Sequence, residues 1–247
     1  MAADLDQGRL KMSDESCVGT HPIQVIAITS GKGGVGRTSI AVNLALAVAK
    51  SGKRVVLFDA DFELANVHVQ LGFAPELTIV DVIKGRCELK DMLHTGPLGI
   101  RIVPASSSFN ERVEMDSTHY AGLIQSFNDI DNSLDVLIID TAAGIGQSVV
   151  SMVRAAHEVL VVLTADPTSL SDAYALISSL HLGHGMYRFR VLANMVESAQ
   201  VGLRLFKRLS ELTDRFLDVT LQFAGSVPYD DSIRKVVQQQ RGIYDAL

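Results

Sequence analysis

Short apolar runs alternate with longer stretches of helical periodicity along most of the chain. Residues 55–58 and 136–139 are continuously apolar, as expected of strands that are covered on both faces. The pattern predicts strands at residues 22–29, 53–59, 99–104, 134–140, 158–164, 189–194 and 223–227. It predicts helices at residues 38–51, 67–72, 79–84, 89–93, 117–130, 147 onward, 169–182, 199–217 and 231–241.

Strands that alternate with helices predict an α/β fold, with a mostly parallel sheet and helices on both of its faces. The 247 residues are 47% hydrophobic, which is enough for one large core. We therefore predict a single domain over residues 22–247. Residues 1–21 are polar and mixed in charge, and they are predicted to form a mobile N-terminal arm.

Charge and cysteine content narrow the class of protein further. The net charge is −6, so nothing favours direct binding of nucleic acid. Cys17 and Cys87 lie in dissimilar surroundings without the spacing of metal ligands, and they are predicted to be free thiols in a reducing compartment. No apolar run reaches the ~18–20 residues of a membrane span, and the first 20 residues lack the hydrophobic core of a signal peptide. A cytoplasmic protein is expected.

Residues 30–39, with the sequence SGKGGVGRTS, lie between the first predicted strand and the first predicted helix. Strand, glycine-rich turn and helix is the context of a phosphate-binding loop, in which backbone N–H groups surround an anion. Four glycines within six residues exceed what a simple tight turn needs. The pattern G-x-x-x-x-G-K-[ST] is met at Gly31, Gly36 and Thr38, but Arg37 takes the lysine position. These residues predict a P-loop three-layer sandwich.

Polar residues follow several of the predicted strands at the edge where ligands bind in such sheets. Asp59 and Asp61 follow the second strand, Asp140 follows the most apolar one, and Asn194 and Pro228 follow two later strands. An aspartate after an apolar strand suits a magnesium ion held through water. The alternative for any one aspartate is a helix N-cap.

The loop, with its extra lysine Lys32, resembles the deviant Walker-A motif of MinD/ParA-type ATPases. Residues 59–67 (DADFELANV) and 140–146 (DTAAGIG) fit the same family. Residues 64–67, 80–89 and 188–195 are most similar to its FleN/FlhG branch, which regulates flagellar number in polar flagellates. The resemblance therefore implies a switch that binds ATP with Mg²⁺, forms a homodimer around ATP and hydrolyses it slowly.

The resemblance also implies a role for each matching residue. Lys32 and Asp61 are the implied catalytic residues, because the lysine reaches the partner's phosphates across the dimer and the aspartate orients the attacking water. Gly144 would sense the γ-phosphate. Contacts with magnesium are implied for Thr38, Asp59 and Asp140. Contacts with the nucleotide are implied for Gly31, Lys32, Gly33, Gly34, Val35, Gly36, Arg37, Thr38, Ser39, Asn194 and Pro228, the last two at adenine.

Arg37 departs from the family pattern. A forked guanidinium cannot take the pose of a lysine ammonium, and losing one charge-assisted bond costs about 1.5–3 kcal/mol. Binding of nucleotide is expected to weaken, and hydrolysis is in doubt. The alternative function is a non-catalytic antiactivator that binds nucleotide and acts through protein contacts. Phe62, Glu63 and His68 also differ from the pattern, and Glu63 would either add negative charge near the γ-phosphate or point into solvent.

The resemblance further implies partners. A FleQ-like transcriptional activator of flagellar genes is expected, together with recruitment to the cell pole. Residues 6–11 are similar to the motif with which FlhG proteins stimulate the GTPase FlhF, although the leucine spacing differs by one residue and a solvated arm is the alternative. The family usually continues into a basic amphipathic helix that binds membrane. The present sequence has no such segment, so either it is truncated or this member does not bind membrane. Membrane binding is not expected for the chain as given, nor is a plasmid- or septum-positioning role.

Overall fold

The computed structural model describes residues 22–62, 64–105 and 134–231, together with residues 120, 122, 123, 126 and 127. The predicted N-terminal arm and Glu63 lie outside the described residues. The same holds for the predicted helix at 231–241 except its first residue, and for most of the helix at 117–130. The domain boundaries therefore stay a prediction.

The strands of the described chain form one eight-stranded sheet. They are β1 (Gln24–Ser30), β2 (Val55–Ala60), β3 (His94–Thr95), β4 (Arg101–Val103), β5 (Val136–Ala143), β6 (Glu158–Leu163), β7 (Arg188–Val196) and β8 (Thr220–Pro228). Their order is β3-β4-β2-β5-β1-β6-β7-β8. All neighbouring pairs are parallel except β3 and β4.

Helices connect the parallel strands. They are α1 (Arg37–Lys50), α2 (Val67–Leu71), α3 (Ile79–Ile83), α4 (Gln147–Arg154), α5 (Pro167–His184) and α6 (Ala199–Phe216), with 3₁₀ turns at Leu89–Met92 and Pro97–Gly99. The two longest begin at side-chain caps, since Asp166 accepts from the Thr168 N–H and Ser198 from the Val201 N–H.

The core lies on both faces of the sheet because successive strand residues point to opposite sides. Ile138 packs on the face that α1 covers, and its neighbour Leu137 packs on the other face with α3. The face of β6 and β7 opposite α1 packs against α4, α5 and α6. Strands β2 and β5 are buried along most of their length, which explains their continuous apolar sequence.

The predicted α/β fold with a mostly parallel sheet is confirmed, and all seven predicted strands form. The sequence pattern missed β3, a two-residue antiparallel strand too short to show a period of its own. Cys87 is a free thiol, as predicted, while Cys17 lies outside the described residues. Within the described part of the chain, no helix combines the length and apolar character needed to cross a membrane.

Candidate functional site

The glycine-rich loop connects β1 to α1 at the carboxyl edge of the sheet. Gly34 and Gly36 adopt positive φ angles of 79° and 86°, and Gly36 is the N-cap of α1 without any side-chain cap. Glycine takes this backbone conformation at little steric cost. Because no side chain caps α1, its first N–H groups are available to an anion beside the loop.

The loop is held from two sides by residues distant in sequence. A Cβ at Gly31 would clash with the Asp172 carbonyl of α5, so only glycine allows this approach. On the other side, the Asn194 side-chain amide donates to the Val35 carbonyl at 2.8 Å. A Cβ at Gly36 would lie 2.5 Å from the same Asn194 nitrogen. Asn194 therefore supports the loop from β7, and its predicted contact with adenine stays a prediction.

Two buried carboxylates meet at the ends of neighbouring strands. Asp59 on β2 and Asp140 on β5 are register partners, and both are almost fully buried. Asp59 accepts from the backbone N–H groups of Asp61 (3.2 Å), Asn66 (3.0 Å) and Val67 (3.1 Å). Burial is the main cause that raises its pKa well above the usual range, and the charge of Asp140 adds to this effect.

Asp140 has fewer hydrogen-bond partners than Asp59 among the described residues. Burial raises its pKa to about 7, against the opposing effects of a hydrogen bond with the Thr38 side chain and of the Arg37 charge. Its Oδ1 atom is buried and has no hydrogen-bond partner among the described residues. A buried oxygen of this kind is costly unless a cation or donor satisfies it.

These residues fit a magnesium ion that is bound together with a phosphate. Within the described ranges, no three His, Cys, Asp or Glu side chains are arranged to hold a metal by themselves. Mg²⁺ at phosphate sites commonly uses one or two protein ligands and completes its shell with phosphate oxygens and water. Thr38 and the unsatisfied oxygen of Asp140 could supply those ligands directly or through water. Asp59 could take part through water, since backbone N–H groups already donate to each of its two oxygens.

Arg37 points toward these carboxylates. Its Nη2 atom lies 3.5 Å from Oδ2 of Asp61, and the two side chains are only 10% and 12% exposed. Burial lowers the pKa of the guanidinium, while the charges of Asp140, Asp61 and Asp59 oppose that effect. Its Nη1 atom is buried without a hydrogen-bond partner in the described part of the chain. The other Asp61 oxygen accepts from the Leu64 N–H at 3.0 Å.

Comparison with known proteins agrees with this geometry. The AAA-domain family model matches residues 23–185. The antiactivator FleN of Pseudomonas aeruginosa is 61% identical over 226 residues, which cover 92% of this chain and 81% of FleN. The chain belongs to the MinD/ParA-type ATPases. Within this family it is close to FleN and FlhG.

A more distant relative agrees with this assignment, and a solved structure agrees with the fold. The flagellum site-determining protein YlxH of Helicobacter pylori is 30% identical over 217 residues, covering 87% of this chain and 73% of YlxH. MinD of Pyrococcus horikoshii, solved in complex with Mg-ADP, superposes with a TM-score of 0.73 at 22% identity, covering 91% of this chain and 88% of MinD. The latter likeness concerns the fold.

The extra lysine of this MinD/ParA-type loop is bound within its own chain. The Lys32 ammonium donates to Asp166 at 2.9 Å and to the Thr168 hydroxyl at 2.7 Å. The hydrogen bond from Lys32 is the main cause that lowers the pKa of Asp166 to about 2. Lys32 must leave these partners before it can contact a second copy, so its predicted role across a dimer stays a prediction.

A cleft of about 290 Å³ opens beside the loop. One wall carries loop and α1 residues that the sequence predicted, and the other wall comes from α2 and the residue before it. The residues of this second wall are Asn66, Val69 and Gln70. Gln70 donates to the Ser39 hydroxyl at 2.8 Å, and its carbonyl oxygen is buried without a partner among the described residues.

Val69 and Gln70 were not predicted as site residues from the sequence, because α2 carries no phosphate-binding motif. Asn66 lay inside a quoted stretch but had no assigned role. The remaining predicted site residues lie near the loop or the sheet edge. The Gly144 N–H donates to the Ser30 carbonyl at 2.9 Å, which holds the loop after β5 against β1. Pro228 is exposed at the end of β8 and pairs with Val196. Their contacts with nucleotide stay predictions.

Proposed function

We propose that this chain is a nucleotide-dependent switch that regulates flagellar number or flagellar gene expression. It binds ATP with Mg²⁺, dimerises with nucleotide bound and hydrolyses ATP slowly. The observation that carries the proposal is the glycine-rich loop, whose residues Gly34, Gly36 and Thr38 line a cleft, with the buried carboxylate of Asp140 next to Thr38. The Mg-ADP in the MinD structure from Pyrococcus horikoshii supports the choice of ligand.

The similarity to FleN supports the choice of process. FleN is an antiactivator by name, and YlxH is a flagellum site-determining protein. A transcriptional activator of flagellar genes is therefore the partner that we propose for this chain. The net charge of −6 favours regulation through protein contacts over direct binding of DNA.

A second candidate is a non-catalytic nucleotide sensor. The position of Arg37 favours it, because the guanidinium is paired with Asp61, the residue implied to orient the attacking water. An aspartate in an ion pair is a poorer acceptor for water than a free one. Such a protein would act on its partner in response to bound nucleotide without turnover.

Calorimetric titration of Mg-ATP, with phosphate release followed in parallel, tests both candidates. We expect the wild type to bind at micromolar concentrations and to turn over slowly, and Arg37→Lys to turn over faster. Thr38→Ala should weaken the dependence of binding on Mg²⁺, because it removes one proposed ligand of the metal. Arg54→Lys is a matched control, since Arg54 pairs with Asp135 away from the cleft.

The outcomes separate the candidates. If the wild type and Arg37→Lys both bind nucleotide but release no phosphate above a buffer blank, the slow ATPase is refuted and the non-catalytic sensor is supported. Absence of any nucleotide binding in both proteins would refute the nucleotide switch. Sedimentation with and without Mg-ATP tests dimerisation, and a mass that does not change with ATP would remove the dimer from the proposal.

A further inference from the structure

Arg37 and Asp61 form a buried ion pair at the entrance to the carboxylate cluster. Low exposures of 10% and 12% distinguish this pair, whose atoms lie 3.5 Å apart, from the surface pairs in the described part of the chain. Arg54 and Asp135, for comparison, are 54% and 22% exposed. Charges that are withdrawn from water interact more strongly than exposed ones.

The pair also fixes a loop. Asp61 uses its Oδ2 atom for Arg37 and its Oδ1 atom for the Leu64 N–H, while its own N–H donates to Asp59. These contacts connect the end of β2 to the start of α2, whose residues form the second wall of the cleft. Arg37 therefore contacts one of the two aspartates that hold this segment, the other being Asp59, which accepts from the N–H groups of Asn66 and Val67.

The guanidinium also has unused capacity to bind. Its Nη1 atom is buried without a hydrogen-bond partner among the described residues. Arg37 is the first residue of α1, directly after the left-handed Gly36, and part of it lines the cleft. Guanidinium groups pair with phosphate through two parallel hydrogen bonds. The side chain is only 10% exposed where it contacts Asp61, and its unpartnered Nη1 atom is buried, so the guanidinium must move before it can make that contact with a phosphate in the cleft.

We propose that Arg37 is a positioning residue with two alternative partners, and the second partner rests on the function proposed above. Without nucleotide, Arg37 binds Asp61 in a contact that we call the Arg37–Asp61 latch. With nucleotide, Arg37 moves to the phosphates and releases Asp61 together with the loop that leads to α2. Nucleotide then binds more weakly, because the interaction between Arg37 and Asp61 must first be broken. The loop is released only when phosphate takes the place of Asp61 at Arg37.

A double-mutant cycle on ADP affinity tests the latch. The proteins are the wild type, Asp61→Asn, Arg37→Met and the double variant, titrated with ADP in EDTA so that no metal contributes. Asp61→Asn should tighten binding by about three- to thirtyfold, because it frees Arg37 for the phosphates. In the Arg37→Met background the same substitution should produce no such gain. Asp135→Asn is the matched control and should leave the affinity unchanged.

Two results would overturn the two-partner role of Arg37. The first is an affinity that Asp61→Asn does not improve. The second is a gain in ADP affinity from Asp61→Asn that is equal in the presence and absence of Arg37. Simple repulsion between Asp61 and phosphate would explain such a gain. If Arg37→Met does not fold, Arg37→Lys takes its place, and the gain from Asp61→Asn should then differ from that in the wild type.

Urea unfolding of the same four proteins without nucleotide tests the latch separately from the proposed function. A latch predicts that the double variant loses less stability than the sum of the single variants. If none of the proteins binds ADP but this coupling is present, the proposed function and the second partner of Arg37 fail while the pair itself stands. If the single losses simply add, the latch is refuted whatever the affinity for ADP.

Discussion

At the scale of single residues, Asn194 shows how a side chain far along the chain can shape the phosphate loop. Its amide donates to the Val35 carbonyl, and its nitrogen lies 2.5 Å from the position that a Cβ on Gly36 would take. The resemblance to the family implied a contact with adenine at this position. The two roles are chemically compatible, because the amide has a second N–H and a carbonyl oxygen besides the donor used for Val35, but they differ in what they predict for binding.

We predict that Asn194→Ala weakens the binding of ADP and of tripolyphosphate by the same factor. One lost hydrogen bond corresponds to about 0.5–1.5 kcal/mol, or about two- to tenfold in affinity. Tripolyphosphate has no base, so it reports only on the loop. Competition titrations with both ligands measure the two factors. A loss for ADP alone would show instead that Asn194 contacts the base.

At the scale of elements, the loop depends on its close contact with α5. Gly31 has no room for a Cβ because the Asp172 carbonyl of α5 lies against it. Gly33 has no atom within 4 Å of such a Cβ, although it belongs to the same turn. A side chain is therefore excluded at Gly31 but not at Gly33, although both glycines belong to the same loop.

We predict that Gly31→Ala destabilises the protein by about 1–3 kcal/mol or more, because the loop and α5 must separate to admit the methyl group. Gly33→Ala is the control and should change the free energy of unfolding by less than about 0.5 kcal/mol. Urea denaturation without nucleotide measures both changes. Equal losses in the two variants would contradict the assignment of this contact.

At the scale of the whole molecule, stability depends on the central strands that also carry the site. Ile138 on β5 is fully buried, and Asp140 follows two residues later on the same strand. Ile145 lies just beyond this strand and is 55% exposed. A change at Ile138 affects the core that holds the carboxylates in register, whereas a change at Ile145 affects a surface position.

We predict that Ile138→Ala lowers the free energy of unfolding by about 2–5 kcal/mol, since it leaves a cavity between β5 and α1. Ile145→Ala, with the same change in size, should have little effect on unfolding. For a chain of this length the first change lowers the melting temperature by roughly 5–20 °C. Calorimetric melting tests the pair, and a similar shift for both variants would contradict the assignment of β5 as a central strand.

The sequence alone predicted the features that depend on neighbours along the chain. Apolar runs and helical periodicity predicted the seven longer strands and the helices between them, because each pattern can be recognised within about ten consecutive residues. The phosphate loop was predicted for the same reason, since strand, glycines and helix are contiguous. The resemblance to the MinD/ParA-type family likewise rested on contiguous motifs, and it is confirmed.

Only the tertiary structure decided how these residues meet. The sheet order β2-β5-β1-β6-β7 brings Asn194 to Val35 and Asp166 to Lys32, across separations of 159 and 134 residues. The same order places Asp59 beside Asp140 and leaves Arg37 facing Asp61. A motif can name the residue at the lysine position. Where that side chain points depends on the charges that folding assembles around it, because a buried guanidinium needs an opposite charge or hydrogen-bond acceptors beside it.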